Sequence, residues 1–243
     1  MDAMEKADTP ILWKWYKTQN CLSYWYSILR ESEVLVPKTK IIHTDLQLIR
    51  LWDHKKLDGY GDLIREITEA AIEMGFPCFL RTGQTSGKHD WKSTCYLESK
   101  DDVLSHVEQL AAFSDMVDLP TNVWVVRELI KTAPAFTAFD GDMPIVKEAR
   151  CFIRDHKVQC IHPYWPSDAF KDQKCSTDNP ESVQSFSEFE LEEINKVLRK
   201  VCRYFVGYWS VDLLLGDDGR WWCTDMAQGD DSYHWKPCLS GRV

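Results

Sequence analysis

Two aspartates stand in a setting that suits a metal ion. Asp212 lies in the apolar run YWSVDLLL (208–215) and Asp225 in RWWCTDM (220–226). Gly216-Asp217-Asp218-Gly219 joins the runs and reads as a tight hairpin turn. With Asp217 and Asp218 at the tip, 212 faces 223 and Asp225 is a diagonal neighbour. With the turn centre shifted by one, the two carboxylates face each other. Either way two acids share one face of a hairpin with apolar flanks, and they repel unless a cation lies between them. Hard oxygen donors at that spacing suit Mg²⁺ together with substrate phosphates. The plainer alternative is a pair of exposed acids on a solvated strand.

Three basic sites accompany this hairpin. In KEARCFIRD (147–155) strand alternation places Glu148, Arg150, Phe152 and Arg154 on one face. Arg150 is then either an ion-pair partner of Glu148 or a phosphate clamp oriented by it. Arg81, between Leu80 and Thr82, needs an anionic partner if its strand is buried. GQTSGK (83–88) evokes a phosphate loop, but the glycine spacing is one residue short and His89 replaces the required hydroxyl. It also leads into a strand-like segment. It is therefore either an ordinary hairpin tip or a small loop whose amides and Lys88 cover phosphates.

Other chemistries find little support. There is no G-x-S-x-G, and the seven histidines show no H-E-x-x-H spacing. Nine cysteines, an odd number with no C-x-x-C pair, argue against a zinc ribbon or a thioredoxin-like site. Reduced core thiols in a cytoplasmic protein are expected instead.

The elements that must position these residues follow from periodicity. Helices are expected over 21–32, 60–74, 101–117 and 187–205. Gly75 would stop the second, and Ser187 with Glu190 would cap the last. Strands are expected over 77–82, 93–98, 123–130, 145–154 and 157–165, then the two arms of the Asp hairpin. Residues 166–186 read as a polar, mobile surface loop. Hairpins mixed with helices give an α+β class. The 243 residues suffice for one large domain or two small ones. A net charge of −9 argues against nucleic acid, though a small anion responds to local charge. No run matches a membrane span or a signal peptide.

In this order the motifs resemble the ATP-grasp superfamily, from about Phe76 to Asp231. FLRTGQTSGKHDW resembles the small lid subdomain, VWVVRELI the adenine-holding linker strand and EARCFI the E-x-R strand. VDLLLGDDGRWWCTDM resembles the metal-binding hairpin. The R-E-L, E-x-R, D and T-D-M run is most similar to a divergent branch. That branch contains a eukaryotic cell-division and translation-factor assembly protein and phage and bacterial relatives. The resemblance implies two α+β subdomains clasping ATP, with a reduced N-terminal extension (residues 1–75), a lid (76–122) and a large subdomain (123–243). It implies that Arg81 touches the α-phosphate. Ser86, Lys88 and the loop amides would cover the β- and γ-phosphates. Arg127, Glu128 and Leu129 would frame adenine and ribose. Arg150 would meet the γ-phosphate or an acylphosphate, and Asp212 and Asp225 would hold Mg²⁺.

Two departures accompany it. The usual second metal ligand is replaced by Ala227, with Gln228, Asp230 or Asp231 as substitutes. The segment before the lid is also short. The implied function is ATP-dependent ligation of a carboxylate to an amine or thiol, with acceptors unspecified. The alternative is an ATP-binding assembly factor or adaptor. For that reading Trp13, Trp15, Tyr16, Tyr24, Trp25 and Tyr26 would offer a docking face, unless they are core.

Overall fold

A computed structural model describes residues 18–48, 58–139, 143–166, 168–171, 173–177, 180–235 and 238. In chain order the elements are α1 (Leu22–Leu29), β1 (Thr39–His43), α2 (Tyr60–Met74), β2 (Cys78–Thr82), α3 (Trp91–Thr94), β3 (Tyr96–Leu97) and α4 (Val103–Met116). There follow β4 (Val123–Glu128), β5 (Phe136–Ala138), β6 (Met143–Ile145), β7 (Glu148–Arg154), β8 (Lys157–Pro163), α5 (Glu188–Val201), β9 (Tyr208–Leu215) and β10 (Trp221–Gln228). Helices and antiparallel sheets alternate irregularly, as an α+β chain requires. Among the described residues no helix is long and apolar enough to cross a membrane.

Two four-stranded antiparallel sheets organise the molecule. One has the order β1-β4-β2-β3 and the other β10-β9-β7-β8. The stripe Leu63, Ile67, Ala70 and Ala71 of α2 meets Val107 and Leu110 of α4 over Leu80, Trp124 and Val126 of the first sheet. Gly75 ends α2 with φ +85° and donates back to Ala71 and Ile72, a conformation that favours glycine. On the second sheet, Leu22, Trp25 and Leu29 of α1 and Ile194, Leu198 and Val201 of α5 cover Ala149, Cys151, Ile153, Val211 and Leu213. Ser187 and Glu190 cap α5 reciprocally, as their spacing predicts.

The β7–β8 turn uses Asp155 and His156, both at positive φ (46° and 68°). This matches the twist of a two-residue hairpin. Elsewhere the elements differ from expectation. The return strand over 93–98 shrinks to Tyr96–Leu97, because residues 91–94 close into a helical turn. Thr94 Oγ1 donates to the carbonyls of Gly87 and Asp90, 2.9 Å each, and so competes with strand pairing. The strand expected over 145–154 is divided: Met143–Ile145 pairs with β5, and β7 starts at Glu148. The described residues of the segment 166–186 are anchored to the core rather than free on the surface. Phe170 and Val183 are buried with Trp165, Phe136 and Ile145 in a third apolar cluster, with Ala169 and Cys175 packed against it, because these apolar residues outweigh the polar composition of the segment.

Trp25 and Tyr26 belong to the core, and Tyr24 stacks on Trp209 at 6.1 Å. Trp13, Trp15 and Tyr16 lie outside the described residues.

Candidate functional site

The site is written across one face of the second sheet. Ala149, Cys151 and Ile153 of β7 point into the core, so Glu148 and Arg150 point the other way. On β9 Val211 and Leu213 are core, and Asp212 shares the face of Arg150. Register places His162, Arg150, Asp212 and Asp225 side by side across β8, β7, β9 and β10.

Asp225 reaches this row by a local irregularity. Trp221 and Cys223 are core residues, and strict alternation would send Asp225 into the core after them. The register shifts between Cys223 and Asp225, so Thr224 is an extra residue in β10. This bulge lets Met226 take the next core position and pairs Asp225 directly with Asp212. The direct pairing arises in two steps: the 216–220 loop moves the register by one residue, so that Leu213 faces Cys223, and the bulge moves it by one more. The carbonyl of Thr224 accepts a hydrogen bond from Arg127 Nη1 (2.6 Å), which ties the bulge to β4 of the other sheet.

Three ion pairs follow. Arg150 grips Asp212 with two parallel hydrogen bonds of 2.8 and 2.7 Å. Its alternative partner, Glu148, is not used. Arg81 Nη1 lies 3.1 Å from Asp225. Lys88 lies 3.3 Å from Glu148, which also accepts from Trp165 Nε1 at 3.2 Å. Burial opposes the charge on Lys88, but Glu148 and then Tyr164 outweigh it and hold its pKa above the ordinary value. Arg150 behaves likewise: burial opposes its charge, and Asp212 more than restores it. Arg127 differs. Burial, helped by Arg81, pulls it down to about 10, so it remains charged at neutral pH. Its Nη2 is buried and has no hydrogen-bond partner among the described residues. An orphaned guanidinium nitrogen beside a cavity calls for an anion.

That cavity, of about 430 Å³, opens between the two sheets. This is a usual size for a small-molecule site. Its lining includes Arg81, Ser86, Lys88, Arg127, Glu128, Leu129, Asp212 and Asp225, so all the residues expected from sequence except Arg150 meet there. Arg150 lines an adjoining cavity of about 530 Å³ with His89, Phe139, Tyr164 and Trp165. The His89 ring stacks on Phe139 at 4.3 Å, and burial, then Lys88, lowers its pKa. Glu128 also accepts a 2.6 Å hydrogen bond from the Lys38 amide. An aromatic cluster, Phe79, Trp91 and Tyr96, lines the main cavity, its rings 5.6–5.8 Å apart.

The Gly/Ser loop is arranged otherwise than a phosphate cradle. The Gly83 amide donates to Val123 O (2.8 Å), and those of Gln84 and Thr85 donate to Thr82 Oγ1 (3.2 and 3.0 Å). Those three amides are committed to the flanking strands, at Val123 of β4 and Thr82 of β2. Gly83 is required for packing: a Cβ there would collide with Cys21 Sγ and meet Val123 Cβ at 3.0 Å. Gly83→Ala is expected to cost about 1–3 kcal/mol, read as a fall in thermal midpoint. Adding Cys21→Ala should recover some of it. A Gly83→Ala midpoint equal to wild type would refute the close approach.

Sequence reasoning missed three participants. Tyr164 lies beneath two cations, with Lys88 Nζ 3.8 Å and the Arg150 guanidinium 4.5 Å from its ring centre. Trp165 holds Glu148, and Thr224 forms the bulge. The core pattern W-x-C-x-x-M of β10 carried the last signal, since a three-residue step between core positions implies a bulge. The other two lie at a strand end, where periodicity says nothing. Of the substitutes for the ligand missing at Ala227, Asp231 accepts from Asn20 Nδ2 (2.7 Å), and neither Gln228 nor Asp230 lines the cavity.

Comparisons with known proteins bear on this arrangement. No curated protein matches the chain. Among solved structures, Cdc123 from Schizosaccharomyces pombe is similar at 17% identity and a TM-score of 0.53, over 86% of this chain and 83% of that one. A RimK domain ATP-grasp protein from Sphaerobacter thermophilus is similar at 13% identity and 0.51, over 93% and 64%. D-alanine–D-alanine ligase from Bacillus anthracis, complexed with ATP, gives 16% and 0.49, over 87% of this chain. The chain spans only 55% of that ligase's length. At these identities the likeness is one of fold. The sequence model of the ATP-grasp domain, R-2-K clade family 3, matches residues 71–232. That stretch is two thirds of the chain and contains every paired charge from Arg81 to Asp225, and the chain therefore belongs to family 3 of the R-2-K clade of ATP-grasp domains.

Proposed function

We propose that the chain binds Mg·ATP between its two sheets and uses it to activate a carboxylate as an acylphosphate, which an amine or thiol then attacks. The observation that carries this reading is the pairing of Arg81, Lys88 and Arg150 with Asp225, Glu148 and Asp212. In the main cavity Arg81, Lys88, Lys92 and Arg127 face Glu128, Glu148, Asp212 and Asp225. Four cations against four carboxylates nearly cancel, and Arg150 on Asp212 leaves one positive charge over, so net charge alone is a weak draw for an anion. A polyphosphate with its cation can still enter by exchange of partners. Arg81 and Arg150 would turn to phosphate oxygens, and Asp225 and Asp212 would turn to Mg²⁺. Every charge then stays paired, which avoids the cost of a buried orphan.

The residues fit that metal. Two carboxylates stand directly opposed, and Glu148 adds a third on the same sheet face. When bound, Mg²⁺ would neutralise charge on the β- and γ-phosphates. Arg127, through its unpartnered Nη2, would hold an anionic oxygen. The aromatic cluster with Leu129 would take the base. Arg150 lies where the two cavities meet, so it would orient the carboxylate acceptor from the second cavity toward the γ-phosphate. In this reading the lid comprises 76–122, the large subdomain 123–243 and the reduced extension residues 1–75. Strands β1 and β4 complete the lid's sheet.

The test uses purified chain, Mg·ATP and panels of carboxylate and amine acceptors. Acceptor-dependent ADP release is expected, with ¹⁸O passing from the labelled carboxylate into phosphate. ATP binding with no ADP across amino acids, peptides and proteins would replace this reading with that of an ATP-binding adaptor. Ala227, which contributes no ligand, favours that second reading.

A further inference from the structure

A second cluster of ligand-type side chains lies on the same sheet, at its β8 edge. Cys160 and His162 are two residues apart on β8, so their side chains share a face. The chain beyond β10 returns over this edge and brings His234 and Cys238 to them. Cys160 Sγ is 3.2 Å from His234 Nε2. The ligand atoms of Cys160, His162, His234 and Cys238 all lie within 4.8 Å of one another. Bond lengths of 2.0–2.3 Å around a tetrahedral zinc put neighbouring ligand atoms about 3.3–3.8 Å apart, so a small contraction suffices.

The surroundings point the same way. His162 Nε2 is buried with no hydrogen-bond partner among the described residues. Its ring is held from outside by Trp235, stacked at 5.8 Å and 10°. Phe152 packs on His234 at 4.1 Å. Burial, then the neighbouring Cys238, pushes the Cys160 thiol up to about 12. Burial and then His234 lower the pKa of His162, and burial lowers that of His234. Two imidazoles and two thiols converging within 4.8 Å form a complete ligand set for a divalent cation.

The geometry points to a structural Zn²⁺ site formed by Cys160, His162, His234 and Cys238. Four protein ligands fill the tetrahedron and leave no open position, which marks a structural rather than a catalytic centre. Two thiols become thiolates and release two protons, so the two negative charges cancel the ion's. The site would pin the segment carrying His234 and Cys238 over β8, the edge strand of the second sheet, and so cover an exposed row of backbone groups. It would also fix His162, the cross-strand neighbour of Arg150. The sequence pattern is C-x-H with H-x₃-C more than seventy residues later, which neither a C-x-x-C nor an H-E-x-x-H search finds. The inference stands independently of the ATP reading.

The experiment measures metal in the full chain purified without chelator and with its thiols kept reduced. About one zinc per chain is expected. Metal-free protein titrated with Co²⁺ should develop the thiolate charge-transfer and tetrahedral d–d bands of a two-sulfur site. Cys160→Ser with Cys238→Ser should reduce Co²⁺ affinity more than tenfold. Cys175→Ser, outside the cluster, should leave it unchanged. The wild-type spectrum decides the matter even if the double variant fails to fold. No stoichiometric zinc or cobalt in reduced wild type would overturn the site. So would a thiol count two below the nine cysteines of the chain in protein isolated without added reductant, with Cys160 and Cys238 disulfide-linked.

Discussion

Asp225→Ala is expected to weaken Mg·ATP binding by about a hundredfold or more, because a carboxylate touching the ion contributes more than the supporting groups whose loss costs ten- to a hundredfold. The fold should survive. The Asp225 side chain is 40% exposed, but its partner Arg81 is only 5% exposed and then keeps a single hydrogen bond among the described residues, from Nε to Thr82 O at 3.0 Å, so a part of the stability is lost with it. The same variant should behave oppositely without metal. With Mg²⁺ chelated, Asp225 is only a negative charge beside the triphosphate and a competitor for Arg81. Its removal should leave the affinity for free ATP unchanged or raise it. Calorimetry with Mg²⁺ and with chelator separates the two. Equal Mg·ATP affinities of variant and wild type would refute the metal assignment, and an equal loss under both conditions would mean a collapsed site.

Asp212→Ala should act on stability as well as binding. Its carboxylate holds Arg150 bidentately, and the two side chains are only 10% and 17% exposed. Removing it leaves a guanidinium uncompensated in a poorly hydrated place, which costs about 3 kcal/mol at the lower end of the range for such pairs. For a chain of this size that is a drop of roughly 6–12 °C in thermal midpoint. Asp212→Asn should cost less, because an amide oxygen still accepts from Arg150. Pairing Asp212→Leu with Arg150→Met should recover most of the stability and none of the ATP binding. The penalty belongs to the orphaned charge and the binding to the charges themselves. A single variant as stable as wild type would show that the pair contributes nothing to the fold.

Much of this site could be read from the chain alone. Hairpin and helix signals are local, so α2, α5 and the Asp155-His156 turn fall where periodicity and capping residues place them. The Asp hairpin is readable for the same reason: an apolar run, a Gly-Asp-Asp-Gly turn and a second apolar run bring two residues on its arms together without help from the rest of the chain. Arg81 and Lys88 stood out because charge in an apolar strand and in a glycine loop needs a partner. The loop 83–88 was harder to read. Its glycines suggest phosphate, but Gly83 is dictated by Cys21 and Val123, which come from distant regions of the chain.

Local patterns thus suffice for the helices, most of the strands, and the identity of the residues that carry charge into an apolar setting. Which of those charges meet depends on packing between strands. Along a strand, same-face residues such as Glu148 and Arg150 stand two positions, or about 7 Å, apart, whereas directly paired residues on neighbouring strands are about 4.5–5.5 Å apart. Arg150 therefore goes to Asp212 across the sheet, and Glu148 is left to Lys88 from the facing loop. The bulge at Thr224 and the return of the chain beyond β10 to β8 are likewise matters of register and packing between distant segments. They place Asp225 opposite Asp212 and bring His234 and Cys238 to Cys160 and His162.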